Sequence, residues 1–203
     1  MLIYQASSEK FIDDVRENTI SDIMSGNYKA RLGREPGVPE FVSWQNSLSR
    51  VRDLLELGHI HNTFVALEYE VPYNQSRLDC LLFGKSKDDT SNVVLIELKQ
   101  WSNVKALPEE GNFVETYTGG RERIVPHPSQ QVKGYHYYMQ GFVEEFEKEP
   151  TLSLFSCAYC HNYTKTDGKG LHSPVYKDLI AEFPLFTKEG PACTLLFLPN
   201  NLM

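Results

Sequence analysis

Apolar positions recur at helical spacing twice in the first third of the chain. Phe11, Ile12, Val15, Ile20 and Ile23 fall roughly on one face of residues 8–24, which predicts an amphipathic helix after a short strand at residues 2–5. Phe41, Trp44, Leu48, Val51 and Leu55 repeat the spacing, with Pro39 and Gly58 as start and stop of a second helix. Between them, residues 26–37 are rich in glycine, proline and basic side chains and read as a loop.

The apolar runs then shorten. Residues 64–71, 77–83 and 93–101 read as strands, broken by Pro72 and Asn74 and by the polar stretch 84–92, so an antiparallel meander is expected. Residues 113–125 suggest a ribbon turning at Gly119 and Gly120. A helix over 129–147, a strand over 151–163, a loop at KTDGKG, a short helix over 175–182 and a last strand over 193–198 follow. The order helix, three strands, helix, strand predicts an α/β fold with a central mixed sheet flanked by helices. The final NNLM follows the last strand with no stop signal, so the natural protein is expected to continue.

Composition narrows the function classes. The 203 residues are 41% hydrophobic and 23% charged, enough for a core without disulfides. No run approaches the roughly 18 apolar residues of a membrane helix, and the N-terminus lacks a secretion signal. A cytoplasmic protein with no membrane partner is therefore expected. Net charge is −7, unlike a simple DNA-coating protein, but metal-holding carboxylates contribute negative charge of their own. Cys80, Cys157, Cys160 and Cys193 are expected as thiols. Cys157, Cys160 and His161 spell C-x-x-C-H, a haem-attachment pattern, but here inside a strand-like run. A zinc site would need Cys193 or His172 as a further ligand, and no second cysteine pair appears.

The segment VVLIELKQW carries candidate chemistry. Glu97 and Lys99 lie two apart on a strand and so share a face, about 7 Å apart, while Ile96 and Leu98 point away. The preceding strand, RLDCLLFG, places Asp79 among apolar residues, a costly position unless the acid is paired or bound to a cation. Across a hairpin Asp79 can fall beside Glu97. Two carboxylates holding Mg²⁺ beside a lysine form the minimal equipment for phosphodiester hydrolysis. Taken alone, the acid-x-Lys pair reads better as surface ion pairing, and Asp167 and Lys169 repeat it in a glycine-containing loop; with Asp79 added the two readings are even. The helix HPSQQVKGYHYYM adds Gln131 and Tyr135 on one face.

This combination resembles the RecB-like branch of the PD-(D/E)XK nucleases, which carries a Q-x-x-x-Y helix after the acidic hairpin. EYEVPYNQSRLDCLLFG, VVLIELKQW and HPSQQVKGY are more similar still to nuclease-like N-terminal domains of large bacterial proteins that end in a P-loop, Schlafen-like helicase. The resemblance spans about residues 38–163. It implies a restriction-endonuclease-like core over 38–203, with 1–37 as a helical appendage. It also implies a Mg²⁺- or Mn²⁺-dependent nuclease acting on DNA in preference to RNA, in bacterial defence, with a P-loop helicase half as partner in cis or trans. No G-x-x-x-x-G-K-[ST] occurs in this chain; TDGKG is the nearest approach.

By position, the resemblance implies Asp79 and Glu97 as main metal ligands and Glu40, in PEFVSWQNSL, as an additional one. Lys99 becomes the catalytic lysine, Gln131 and Tyr135 complete the site, and Arg77 and Tyr135 contact phosphate. Glu68 and Glu70 share a strand face and can assist or lie at the surface. His127 is read as a cap or packing residue. The competing expectation is an inactive nuclease fold that binds nucleic acid or a protein for a helicase.

Overall fold

The computed structural model describes residues 1–71, 76–86, 89–148, 152–166, 168–189 and 202. Strand β1 (Leu2–Ser7) leads into α1 (Ser8–Arg16), capped by the Ser7 side chain accepting from Lys10 N. After a break at Asn18, with φ 57, the chain re-enters a helix, α2 (Ile20–Leu32). The single helix expected over 8–24 is thus two, and α2 runs through most of the expected loop. Ile20, Met24 and Tyr28 are buried at four-residue spacing. That stripe outweighs Gly26, whose cost inside a helix is only about 1 kcal/mol. The turn at Asn18 resets the phase; Ile23, expected on the buried face, is left exposed.

Helix α3 (Val38–Leu57) buries Trp44, Leu48, Val51 and Leu55, as the spacing predicts. Strands β2 (Phe64–Glu70), β3 (Arg77–Lys85) and β4 (Ser91–Lys99) form the antiparallel meander. Next come β5 (Val104–Ala106), β6 (Phe113–Thr118) and β7 (Arg121–Pro126), a separate three-stranded sheet. Gly119 and Gly120 turn its hairpin with φ of 59 and 83, the conformation that a two-residue turn of this kind requires.

Helix α4 (Pro128–Phe142) starts at His127, whose ring both caps it through Ser129 N and bonds Leu171 O. The expected helix over 129–147 ends at Phe142. Val143 turns extended and packs with Phe146 against the core, and α5 (Glu145–Lys148) is separate. Strand β8 (Leu152–Cys160), α6 (Lys177–Glu182) and β9 (Leu185–Thr187) complete the described elements. The sequence reading missed β5 and β9. The expected strand over 193–198, with Cys193, and the turn residues Pro72 and Asn74 lie outside the described residues, as does Asp167.

The six strands are ordered β1-β2-β3-β4-β8-β9, antiparallel through β4 and parallel from β4 to β9. The fold is α/β, with a central mixed sheet flanked by helices. Residues 1–37 supply its edge strand β1 and two helices. Helices α1 to α3 cover one face, where Phe11, Met24, Trp44 and Leu55 meet Val65, Leu82 and Val94. Helix α4, α6 and the small sheet cover the other, where Val132, Met139, Ile180 and Val114 pack in one cluster with Leu81 and Leu95. Cys157 belongs to the first layer and Cys160 to the second, because three residues along a strand reverse the face. The C-x-x-C-H pattern therefore cannot act as one ligand set. Among the described residues no helix is long and apolar enough to cross a membrane.

Gly170 fixes the loop that bonds His127. Its φ is +52, and an added Cβ would collide with the Tyr163 hydroxyl and lie 2.9 Å from Val104 O. Gly170→Ala is expected to cost about 1–3 kcal/mol, read as a lowered midpoint in urea unfolding; an unchanged midpoint contradicts the packing described.

Candidate active site

The alternation of strand faces fails along one line across the sheet. On β2, Val65 and Leu67 face the α1–α3 layer, yet Tyr69 and Val71 pack in the α4 layer. The phase slips at Glu68, whose φ of 54 is rare for a residue bearing a Cβ. Strand β3 slips at the same level, with Cys80 and Leu82 facing α1–α3 but Leu78 facing α4. Pairs Leu67↔Cys80 and Tyr69↔Leu78 set Glu68 opposite Asp79. The β3–β4 ladder closes at Cys80↔Ile96, so Asp79 and Glu97 share the next level. Three acidic residues on three adjacent strands stand in one transverse row.

The broken ladder is repaired by side chains. Asp79 Oδ2 accepts from Leu98 N at 2.8 Å, taking the place of a partner carbonyl. Glu97 is 2% exposed; its Oε1 accepts from Lys99 Nζ at 2.6 Å and from Gln131 Nε2 at 2.7 Å. Gln131 Nε2 also reaches Tyr135 Oη at 3.0 Å, leaving the tyrosine O–H as a donor. The Lys99 ammonium lies 5.4 Å from the centre of the Trp101 ring. Asp79, Glu97, Lys99, Gln131 and Tyr135 are therefore gathered at one place.

Glu40 and Arg77 meet at the Glu68 end of the row. Arg77 pairs with Glu40 and, at 3.2 Å, with Glu68, over the Tyr28 ring. Glu40 is thus held by arginine rather than beside Asp79 and Glu97, and Glu68 stands where the third acid was expected. Glu68 also accepts from Trp44 Nε1 at 2.9 Å. Its importance was not visible in sequence, where EYEV alternates like a surface strand; the left-handed backbone that turns it inward leaves no compositional mark. Trp44 was read only as an apolar position, although its N–H requires a partner when buried. A cavity of about 230 Å³ is bounded by Glu68, Asp79, Lys99, Ser43 and Trp44. Gln100 ties the end of β4 to Ser43 and Ser47 of α3.

Burial and mutual repulsion dominate the electrostatics. Burial, then the Asp79 charge, pushes Glu97 up to about 8 against the pull of Lys99. Burial, then Asp79, pushes Glu68 up to about 7. Burial raises Asp79 as well, although Lys99 and the Leu98 N–H oppose the shift. Burial works against the Lys99 charge, but Glu97 and Asp79 together hold its pKa above the ordinary lysine range. Lysine remains charged, while the carboxyls cannot all ionise without a further cation. His127 is pushed down to about 4 by burial, as suits a neutral ring that caps α4.

Among the described residues, no three His, Cys, Asp or Glu side chains are gathered closely enough to hold a metal by themselves. Mg²⁺ does not require three, since it keeps several waters and takes one or two carboxylates. The residues fit that ion. Asp79 and Glu97 are hard oxygen donors forced together, and Glu97 Oε2 is buried without a donor.

The row predicts an unusual pH response. The folded pKa values of Glu68 and Glu97 lie above unfolded ones, so the native state binds more protons and stability falls as pH rises through about 7 to 8. The contribution is complete below the ordinary carboxyl range. In EDTA, the thermal midpoint is expected to drop between about pH 6 and about pH 9, and Glu97→Gln should flatten that slope. Equal slopes in both proteins would contradict the assignment.

Comparison of the chain with protein-family models, with curated proteins and with solved structures found no significant match.

Proposed function

We propose that the protein is a metal-dependent nuclease, hydrolysing phosphodiester bonds of nucleic acid, with DNA the favoured polymer. The observation that carries this is the convergence of Asp79, Glu97 and Lys99 from two paired strands, with Gln131 of α4 locked onto Glu97. Asp79 and Glu97 would hold Mg²⁺ or Mn²⁺. When bound, such an ion stabilises charge on the phosphate and makes water a better nucleophile.

The chain's own groups divide the remaining work. Lys99 stays protonated, so it orients the attacking water and neutralises charge developing on the phosphoryl oxygens rather than removing a proton. Gln131 fixes the Glu97 carboxylate, and the Tyr135 O–H is placed to donate to a phosphate oxygen. Glu68, on the cavity wall, titrates near neutrality and suits uptake of the proton that the water loses. The bond from water oxygen to phosphorus forms as the bond to the leaving sugar oxygen breaks.

The test is incubation with circular and linear DNA and RNA in Mg²⁺, Mn²⁺ or EDTA. Cleavage is expected only with metal. Asp79→Ala and Lys99→Met are expected to lower it at least about a hundredfold, and Glu68→Gln by a similar factor while keeping the Trp44 contact. Cleavage persisting in Asp79→Ala or in EDTA overturns the reading.

Metal binding gives a readout apart from turnover. Mn²⁺ at a concentration about a hundred times its Kd should stabilise the wild-type fold by about 2.7 kcal/mol, and Asp79→Ala should lose this. No stabilisation in the wild type, together with no cleavage, would leave a fold that uses its carboxyls for neither purpose.

A further inference from the structure

A groove of about 560 Å³ runs between the β6–β7 hairpin and α4. Its walls are Phe113 and Pro126 on one side and Tyr135 and Tyr138 on the other. Tyr138 stacks on Phe142 with ring centres 4.4 Å apart and planes 14° apart, so two parallel rings continue along the helix. Phe142 is 61% exposed and Phe113 41%, an expensive display of aromatic surface for a face with no ligand. At the mouth, the Asn112 Nδ2 donates to Gln130 Oε1 at 2.9 Å, which leaves an amide oxygen and an amide N–H₂ for another partner. Gln131 and Tyr135 line the groove and also belong to the Glu97 cluster, so the groove borders the side chains that hold the carboxyl row.

The chemistry of these walls selects the occupant. Flat aromatic rings with amide groups at the rim match a nucleobase, which has a π-face and a polar edge. Among the described residues no lysine or arginine lines the groove, and Glu110 lies at its rim, so the walls suit a base and repel its phosphate. A paired base offers such a slot neither its face nor its Watson–Crick edge, because stacking and pairing consume both inside a duplex. We propose that this groove takes the unstacked bases of a single nucleic-acid strand whose phosphates pass over the carboxyl row. The inference rests on the nuclease reading for the identity of the polymer.

Binding measured in EDTA separates the two. The probes are single-stranded DNA and RNA 12-mers carrying 2-aminopurine, whose fluorescence reports stacking, and the matching DNA duplex. Wild-type protein is expected to quench the single strands and to bind the duplex more weakly, with the tighter single strand identifying the sugar. Phe113→Ala is expected to weaken single-strand binding about tenfold. Phe113 lies outside the buried core, and the bond from the Tyr176 O–H uses only its backbone carbonyl, so this variant should keep the fold. Phe113→Trp should restore both affinity and quenching. Asp79→Asn should bind single strands at least as tightly as wild type. Tighter binding of the duplex, no binding of any probe, or wild-type affinity in Phe113→Ala overturns the proposal. If Asp79→Asn abolishes metal-dependent cleavage while Phe113→Ala binds normally, the groove assignment falls and the nuclease stands. If no metal cleaves anything yet Phe113→Ala loses the strand, the groove stands and the nuclease falls.

Discussion

Everything near the site answers one electrostatic constraint: three carboxyls of adjacent strands share a buried row where they cannot all carry charge. A unit charge withdrawn from water needs a counter-charge or donors of its own. Lys99 and Gln131 serve Glu97, the Leu98 N–H and Lys99 serve Asp79, and Arg77 and Trp44 serve Glu68. The partners arise from β3, β4, α3 and α4, so both helical layers are tied to the row. The broken strand phase is part of the same arrangement. A regular β2 would send Glu68 toward the α4 layer, and the backbone at φ 54 turns it to Trp44 instead. Strain concentrated at such a position is what a site tends to retain and a purely structural strand to discard.

The framework was legible because it depends on apolar spacing. Alternation along 77–83 and 93–101 gave the hairpin, and with it the meeting of Asp79 and Glu97 and the common face of Glu97 and Lys99. The spacing of Gln131 and Tyr135 gave their common face, and His127, read as a cap or packing residue, caps α4. What escaped was set by tertiary contacts. Helix α2 crosses a glycine because Met24 and Tyr28 have a core to enter. Glu40 and Glu68 are equivalent as letters and Arg77 pairs with both; the β2–β3 register and the left-handed backbone at Glu68 decide which acid stands beside Asp79. The C-x-x-C-H pattern misleads for the opposite reason, since a string match ignores that a strand reverses its face at every step.

The small sheet β5–β7 occupies the stretch between Lys99 and His127, two residues held firmly at either end. It contributes no strand to the central sheet and none of the carboxyl row. Its exposed positions, Tyr117 and Ile124 among them, can therefore change while Val114 stays in the core and Glu97 and Gln131 keep their bond. If the two proposals hold, chemistry and choice of substrate would be carried by different stretches of one continuous chain. On the nuclease reading proposed above, such a division would let a lineage change its substrate without rebuilding the carboxyl row.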